Sequence, residues 1–334
     1  METQSESEYY QDKTLSVSSV KLFAQNPARA LADYNGTFEW FKGDNEALLI
    51  GRYFHDLMQV AVEKFMDKEF VDTYYKNNDL TWLNQAKKDA YEFALEFVKE
   101  NSSEEYQSLI AKTGKTKGQL KAKPKEMLNW FEALWFSRPL DDIIVNTVLA
   151  TKGINQHDAF VEKDFKSEYK GVTYKGKLDF FTVDHDKKII YAYDYKTSKA
   201  YDPSGIEYGT DIFGVKRKMP VEWTVEKLFP WQAGVYRQLL RDNGYADYKL
   251  VYRYLVVTKQ VVPRLEVFVI DDDCMDLGFE QFATYLLKAN DYINGKEVAP
   301  LIQDGSDYAN QQTYQHPITR HPNSSDGQVE TPLN

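Results

Sequence analysis

The chain has 334 residues, 43% of them hydrophobic and 15% aromatic, enough to bury a substantial core in one large domain or two small ones. Its one cysteine, Cys274, excludes an internal disulfide and any cysteine-built zinc or iron-sulfur site, so a metal would be held by oxygen and histidine. The net charge of -10 argues against broad nonspecific nucleic-acid binding on average, though not against a local basic channel.

The amino terminus, METQSESEYYQD, is acidic and has no apolar core of a signal peptide, and no run of 18 uncharged apolar residues follows. The expectation is a cytoplasmic protein with no membrane partner. Residues 1–13 and 303–334 are polar and expected to be disordered, leaving one domain over 14–302.

From 14 to 153 the apolar residues recur at three-to-four spacing. This predicts helices in SVSSVKLFAQNPARALADY, ALLIGRYFHDLMQVAVEKF, LTWLNQAKKDAYEFALEFVKE, EMLNWFEALWF and PLDDIIVNTVLA. Between them, AKTGKTKGQLKAKPKE gathers Lys112, Lys115, Lys117, Lys121, Lys123 and Lys125 with two glycines and a proline. It reads as a mobile basic loop, either a solvated linker or a phosphate contact.

At 154–302 the period changes. DAFVEKDFKSEY, GVTYKGKLDFFTV, KKIIYAYDY and YKLVYRYLVVTKQVVPRLEVFVI read as strands, rich in β-branched and aromatic residues. Helices are expected in VEWTVEKLFPWQAGVYRQLLRD and MDLGFEQFATYLLKANDYI, and a long loop over 200–220 with KRK at 216–218. The order of elements predicts an α/β fold: a mixed central sheet flanked by helices, preceded by a helical part.

Within GKLDFFTVDHDKKIIYAYDYKTSKAYD, acids interrupt segments that otherwise read as buried strand. Strand alternation puts Asp194 and Lys196 on one face. A hairpin turning at DHDK with Val183 opposite Lys188 places Asp179 opposite Ala192 and diagonal to Asp194, with both acids on one face for an even-numbered loop and no bulge. Two converging carboxylates repel unless a proton or cation intervenes, and Lys196 offsets only part of that charge. A hard divalent ion resolves the conflict: oxygen ligands suit Mg²⁺, with Mn²⁺ as a substitute, and such an ion activates water against a phosphodiester. The alternative from these residues alone is a structural ion pair on a sheet face.

G-K-L-D-F followed by D-Y-K, with fourteen residues between Asp179 and Asp194, resembles the bipartite motif of the PD-(D/E)xK nuclease superfamily, with Leu178 replacing the proline of the name. Within it the chain most resembles phage RecE-like exonucleases of the exodeoxyribonuclease VIII type, related to the RecB nuclease domain and lambda exonuclease. The opening helix S-V-S-S-V-K-L-F-x-x-x-P, the G-R-Y-F-H-D-L-M helix and the W-Q-A-G-V-Y helix occur in the family's order.

The resemblance implies that Asp179 and Asp194 hold Mg²⁺ with His55 and the Tyr195 backbone carbonyl, that Lys196 assists the attacking water, and that Gln232 positions substrate. Glu162, on the preceding strand, and Tyr236, one turn from Gln232, are further candidates; each also fits a plain structural role, as an exposed strand acid and as core packing. Ser18, Arg52, Lys115, Lys117, Lys121 and Lys123 are candidate DNA contacts, although Ser16 or Ser18 also suits a helix N-cap.

The same resemblance implies 5′-to-3′ digestion from double-stranded DNA ends, a RecT-like single-strand annealing partner in phage recombination, and a homo-oligomeric ring. An endonuclease on the same core and a catalytically inactive DNA-binding protein are the competing readings.

Overall fold

Ser16 ends a two-residue strand and caps the first helix. Its hydroxyl accepts the Ser19 amide at 3.2 Å while the Ser19 hydroxyl accepts the Ser16 amide at 2.6 Å, a reciprocal capping box. In the computed structural model, the described residues are 13–37, 46–75, 80–101, 109–112, 115, 117, 119–154, 156–198, 206–210, 216–220, 223–224, 228–259 and 262–301. The two tails expected to be disordered lie, but for Lys13, outside them.

After β1 (Leu15–Ser16) come α1 (Val17–Gln25), α2 (Pro27–Tyr34), α3 (Glu46–Glu63), α4 (Lys68–Tyr74), α5 (Leu83–Asn101), α6 (Ala122–Trp135) and α7 (Arg138–Thr151). The first expected helix is two: Asn26 closes α1 and its side chain accepts the Arg29 amide to open α2, with Pro27 in the first turn. The end of the basic segment is helical, while Lys112, Lys115 and Lys117 lie outside any helix. Lys121 is the cap of α6, and Lys123 and Lys125 lie in its first turns.

The sheet strands are β2 (His157–Tyr169), β3 (Val172–Asp184), β4 (Ile189–Ser198), β7 (Lys249–Thr258) and β8 (Leu265–Ile270). Helix α8 (Phe229–Leu240) precedes β7 and α9 (Asp272–Ile293) follows β8. The sheet runs β1-β3-β4-β7-β8, with β2 paired to the other edge of β3; β1–β3 and β4–β7 are parallel and the rest antiparallel. This is the expected mixed sheet flanked by helices. The loop expected over 200–220 instead contains a two-stranded antiparallel ribbon, β5 (Ile206–Thr210) with β6 (Lys216–Pro220). Its polar, proline-ended KRKMP strand carries no apolar alternation that would reveal it.

Each sheet face carries its own core. Tyr193, Tyr195, Leu255 and Val257 pack against α3, α5, α6 and α7; Ile190, Ala192, Tyr252 and Tyr254 pack against α1, α8 and α9. Alternation along β4 and β7 dictates this division. Helix α3 buries Phe54, Leu57, Met58 and Ala61, one apolar stripe, which sets the neighbouring His55 at its flank facing the sheet.

Helix α8 is locked onto α9 at a close crossing. A Cβ at Gly278 would lie 2.1 Å from the Pro230 carbonyl oxygen, and the buried Arg237 pairs with Asp272 and Asp276.

Candidate active site

The β3–β4 hairpin closes with Asp184 opposite Ile189, leaving the four-residue turn 185–188. The expected even-numbered loop is present, but the pairing is offset from the Val183–Lys188 pair expected. The Asp184 carboxylate accepts the Lys187 amide and the Lys187 ammonium, each at 2.9 Å, so it belongs to the strand end and starts the turn one residue later. Continued along the strands, this register puts Asp179 opposite Asp194 itself rather than opposite Ala192. The pairing ends at Phe180–Tyr193, one residue short of both acids.

A second departure concerns the face each residue takes. On β3, Tyr174 and Leu178 share a core with Phe181 and Val183 while Phe180 points into the other core. On β2, Phe165 and Phe160 share a core and Val161 faces the opposite one. Both strands therefore invert their alternation at one cross-strand position, Glu162 and Asp179, which lies between the pairs Val161–Phe180 and Lys163–Leu178. Glu162 has φ 49°, the left-handed region that non-glycine residues avoid.

Through that inversion Asp179 turns toward α3. Its Oδ2 accepts the Tyr195 amide at 3.3 Å and stands 3.7 Å from His55 Nδ1. His55, Gln59, Val161, Glu162, Asp179 and Tyr195 line one small cavity. Glu162 also pairs with the Lys177 ammonium at 3.5 Å. Burial lowers the His55 pKa; the Asp179 charge and the nearby Tyr195 backbone oppose that shift and the Lys196 charge adds to it. A neutral imidazole beside a carboxylate and a carbonyl oxygen is a metal-ligating combination.

Asp194 faces the other layer and is 1% exposed. Its Oδ2 accepts from Gln232 Nε2 at 2.6 Å and from the Tyr252 hydroxyl at 3.3 Å, and its Oδ1 lies 2.6 Å from Lys196 Nζ. Burial raises its pKa to about 7; the Lys196 charge opposes the shift and the Asp179 charge adds to it. For Lys196, burial pulls downward, but the charges of Asp194 and Asp179 outweigh it and the ammonium is held charged.

The structure thus places His55, Glu162, Asp179 and Tyr195 at one cavity and Asp194, Lys196 and Gln232 in a second cluster, whose Asp194 feels the Asp179 charge. Tyr236 is in the cluster through its hydrogen bond from Gln232 at 3.1 Å. Gln232 is committed to Asp194. Ser18, Arg52, Lys115, Lys117, Lys121 and Lys123 are exposed. Tyr252 and Tyr254 were not anticipated. Their alternation in LVYRYLVV marks a shared face, and the acid they surround becomes identifiable only once β7 is known to lie beside β4.

A divalent cation fits the donor types here. Asp194 Oδ1 is buried and, although close to the Lys196 ammonium, takes part in no hydrogen bond of good geometry, so it retains a coordinating lone pair. Asp179, His55 and the Tyr195 carbonyl supply further oxygen and nitrogen donors. The arrangement is open: among the described residues no three His, Cys, Asp or Glu side chains form a compact cage.

The family described as "PDDEXK-like domain of unknown function (DUF3799)" matches residues 16–311. The chain belongs to this PDDEXK-like family. No curated protein matches it. Among solved structures, one described as "Putative exonuclease" from Eubacterium rectale aligns over 100% of this chain and 97% of its own, at 17% identity and a TM-score of 0.60. That likeness establishes a shared fold. The PDDEXK-like assignment supports a nuclease reading, and the two acids and the lysine lie on the β3–β4 hairpin of that fold. No helix among the described residues is long and apolar enough to cross a membrane.

Proposed function

We propose that the protein is a divalent-cation-dependent DNA exonuclease that hydrolyses phosphodiester bonds from duplex ends. The observation that carries this reading is the buried Asp194–Lys196 pair beside Asp179 at the fork of β3 and β4, in a PDDEXK-like chain.

His55, Asp179, Asp194 and the Tyr195 carbonyl would hold Mg²⁺ or Mn²⁺, which when bound polarises the phosphoryl group and lowers the pKa of water. Lys196, charged and one-third exposed, reaches from Asp194 toward solvent, where it orients the attacking water and offsets the charge developing on phosphate. Asp179, anchored by the Tyr195 amide, keeps its carboxylate turned to the cavity. The exposed Lys121 and Lys123 at the start of α6, with Arg217 and Lys218 on the β5–β6 ribbon, provide cationic side chains for the DNA backbone.

Dependence on ends is supported by the exonuclease description of the structural neighbour. The RecE-like resemblance adds 5′-to-3′ polarity, 3′ overhangs passed to an annealing partner, a ring-shaped oligomer and a phage origin. Digestion of linear duplex beside covalently closed plasmid tests the reading. An exonuclease degrades the first and leaves the second intact; nicking or linearisation of the closed circle makes the protein an endonuclease.

A further inference from the structure

The β3–β4 ladder ends at Phe180–Tyr193, one residue short of both acids, and past it the Tyr195 amide of β4 holds the Asp179 carboxylate at 3.3 Å. Helix α8 supplies a separate tie across the fork. Tyr236 donates its hydroxyl to the Lys177 carbonyl of β3 at 2.6 Å. One turn earlier, the Gln232 amide nitrogen donates to the Tyr236 hydroxyl at 3.1 Å and to Asp194 Oδ2 of β4 at 2.6 Å.

The Gln232 oxygen lies 3.2 Å from the Tyr254 hydroxyl, whose one hydrogen is also within reach of the Phe229 carbonyl at 2.9 Å. Both Gln232 amide hydrogens are therefore spent inside the protein. The i,i+4 spacing on α8 makes this chain of bonds possible, because it stacks the two side chains on one helix face.

Gly176 is an independent part of the same device. A Cβ there would lie 2.6 Å from Tyr236 Cε1, so the glycine two residues ahead of Leu178 clears the space through which the Tyr236 ring reaches the Lys177 carbonyl. The path Lys177 carbonyl, Tyr236, Gln232, Asp194 thus joins the main chain beside one acid to the carboxylate of the other.

We infer that Gln232 and Tyr236 are positioning residues that set the spacing of the Asp179 and Asp194 carboxylates for the cation, rather than contacts to the substrate. The inference rests on the nuclease reading above. It differs from the substrate-positioning role that the motif resemblance implies for Gln232, and it makes Gly176 part of the site. Partners that orient metal ligands govern affinity for the ion without touching it.

The test is Mn²⁺ binding to the full chain without DNA, read from the electron paramagnetic resonance of free Mn²⁺. Wild type is compared with Asp179→Asn, Tyr236→Phe and Gln232→Met, each checked for folding by its thermal melt. Wild type is expected to bind Mn²⁺ and Asp179→Asn to lose that binding. Tyr236→Phe and Gln232→Met are each expected to weaken it by about tenfold or more, with binding of duplex DNA in EDTA unchanged. Using two variants keeps the test decisive if one of them fails to fold. Wild type that does not bind Mn²⁺, or Asp179→Asn that binds as tightly, overturns the nuclease reading and this inference together. Unchanged Mn²⁺ affinity in a folded Tyr236→Phe or Gln232→Met, with wild type and Asp179→Asn as expected, overturns this inference alone.

Discussion

Glu162 stands across the β2–β3 ladder from Asp179, and its backbone is left-handed, with φ 49°. At that pair both strands invert the face their side chains take, and Asp179 thereby reaches His55 instead of the α8 layer. A non-glycine residue in this region costs about 1–2 kcal/mol, a strain that the surrounding sheet must hold in place.

Within an ordinary strand, alanine is more stable than glycine by roughly 0.5–1 kcal/mol. At position 162 the order is expected to reverse. Glu162→Gly should exceed Glu162→Ala by about 1 kcal/mol in urea unfolding, since only glycine adopts this φ without strain. Equal stabilities, or a more stable alanine variant, would mean that the inversion is not held by that backbone conformation.

Gly278 fixes the platform from which Gln232 reaches Asp194. A methyl there meets the Pro230 carbonyl at 2.1 Å, a backbone atom that cannot rotate away. Gly278→Ala is expected to cost about 1–3 kcal/mol of stability through overpacking. It should also lower nuclease turnover, because α8 must shift against the sheet. Unfolding curves and a digestion time course check the two effects on one sample, and full stability with full activity would contradict the close crossing.

The raised pKa of Asp194 makes the metal-free protein sensitive to pH. Burial lifts this carboxyl from about 3.8 unfolded to about 7 folded, so between those values the folded state holds a proton that the unfolded state has released. Its stabilising effect is complete below about pH 4, declines as pH rises through the interval and is gone above about pH 7. Lys196 stays charged across that window and adds no slope of its own. In EDTA, wild type is expected to lose stability from pH 5 to 7, with this group contributing up to about 1.4 kcal/mol per pH unit. Asp194→Asn should flatten the profile. Urea unfolding at four pH values measures this, and an unchanged slope in Asp194→Asn would assign the dependence to another group.

The helical part and the main strands were legible because their signal is periodicity: Phe54, Leu57, Met58 and Ala61 on α3, and alternating Ile190 and Ala192 against Tyr191 and Tyr193 on β4. The even-numbered hairpin loop was also legible. Its offset was not, because it turns on one carboxylate, Asp184, accepting a turn amide. The inversion at Glu162 and Asp179 leaves no trace in composition, since glutamate is a residue from which φ above zero is not expected. Tyr252 and Tyr254 show in the sequence only as aromatics of an expected strand, and both are buried in the core. Their hydroxyls acquire a role only when the parallel β4–β7 pairing brings Asp194 beside them. Gln232 and Tyr236 were readable as a same-face pair from their spacing, but what that pair holds depended on seeing Lys177 and Asp194 at either end.

The central claim is that Asp179, Asp194 and Lys196 hydrolyse DNA with a divalent cation. Its most direct test is digestion of end-labelled linear duplex by wild type and by folded Asp194→Ala, each with Mg²⁺ and with EDTA. The account predicts degradation by wild type in Mg²⁺ only, and a loss on the order of a hundredfold to a thousandfold or more in Asp194→Ala. Degradation that persists in EDTA, or that survives in Asp194→Ala at the wild-type rate, would contradict it.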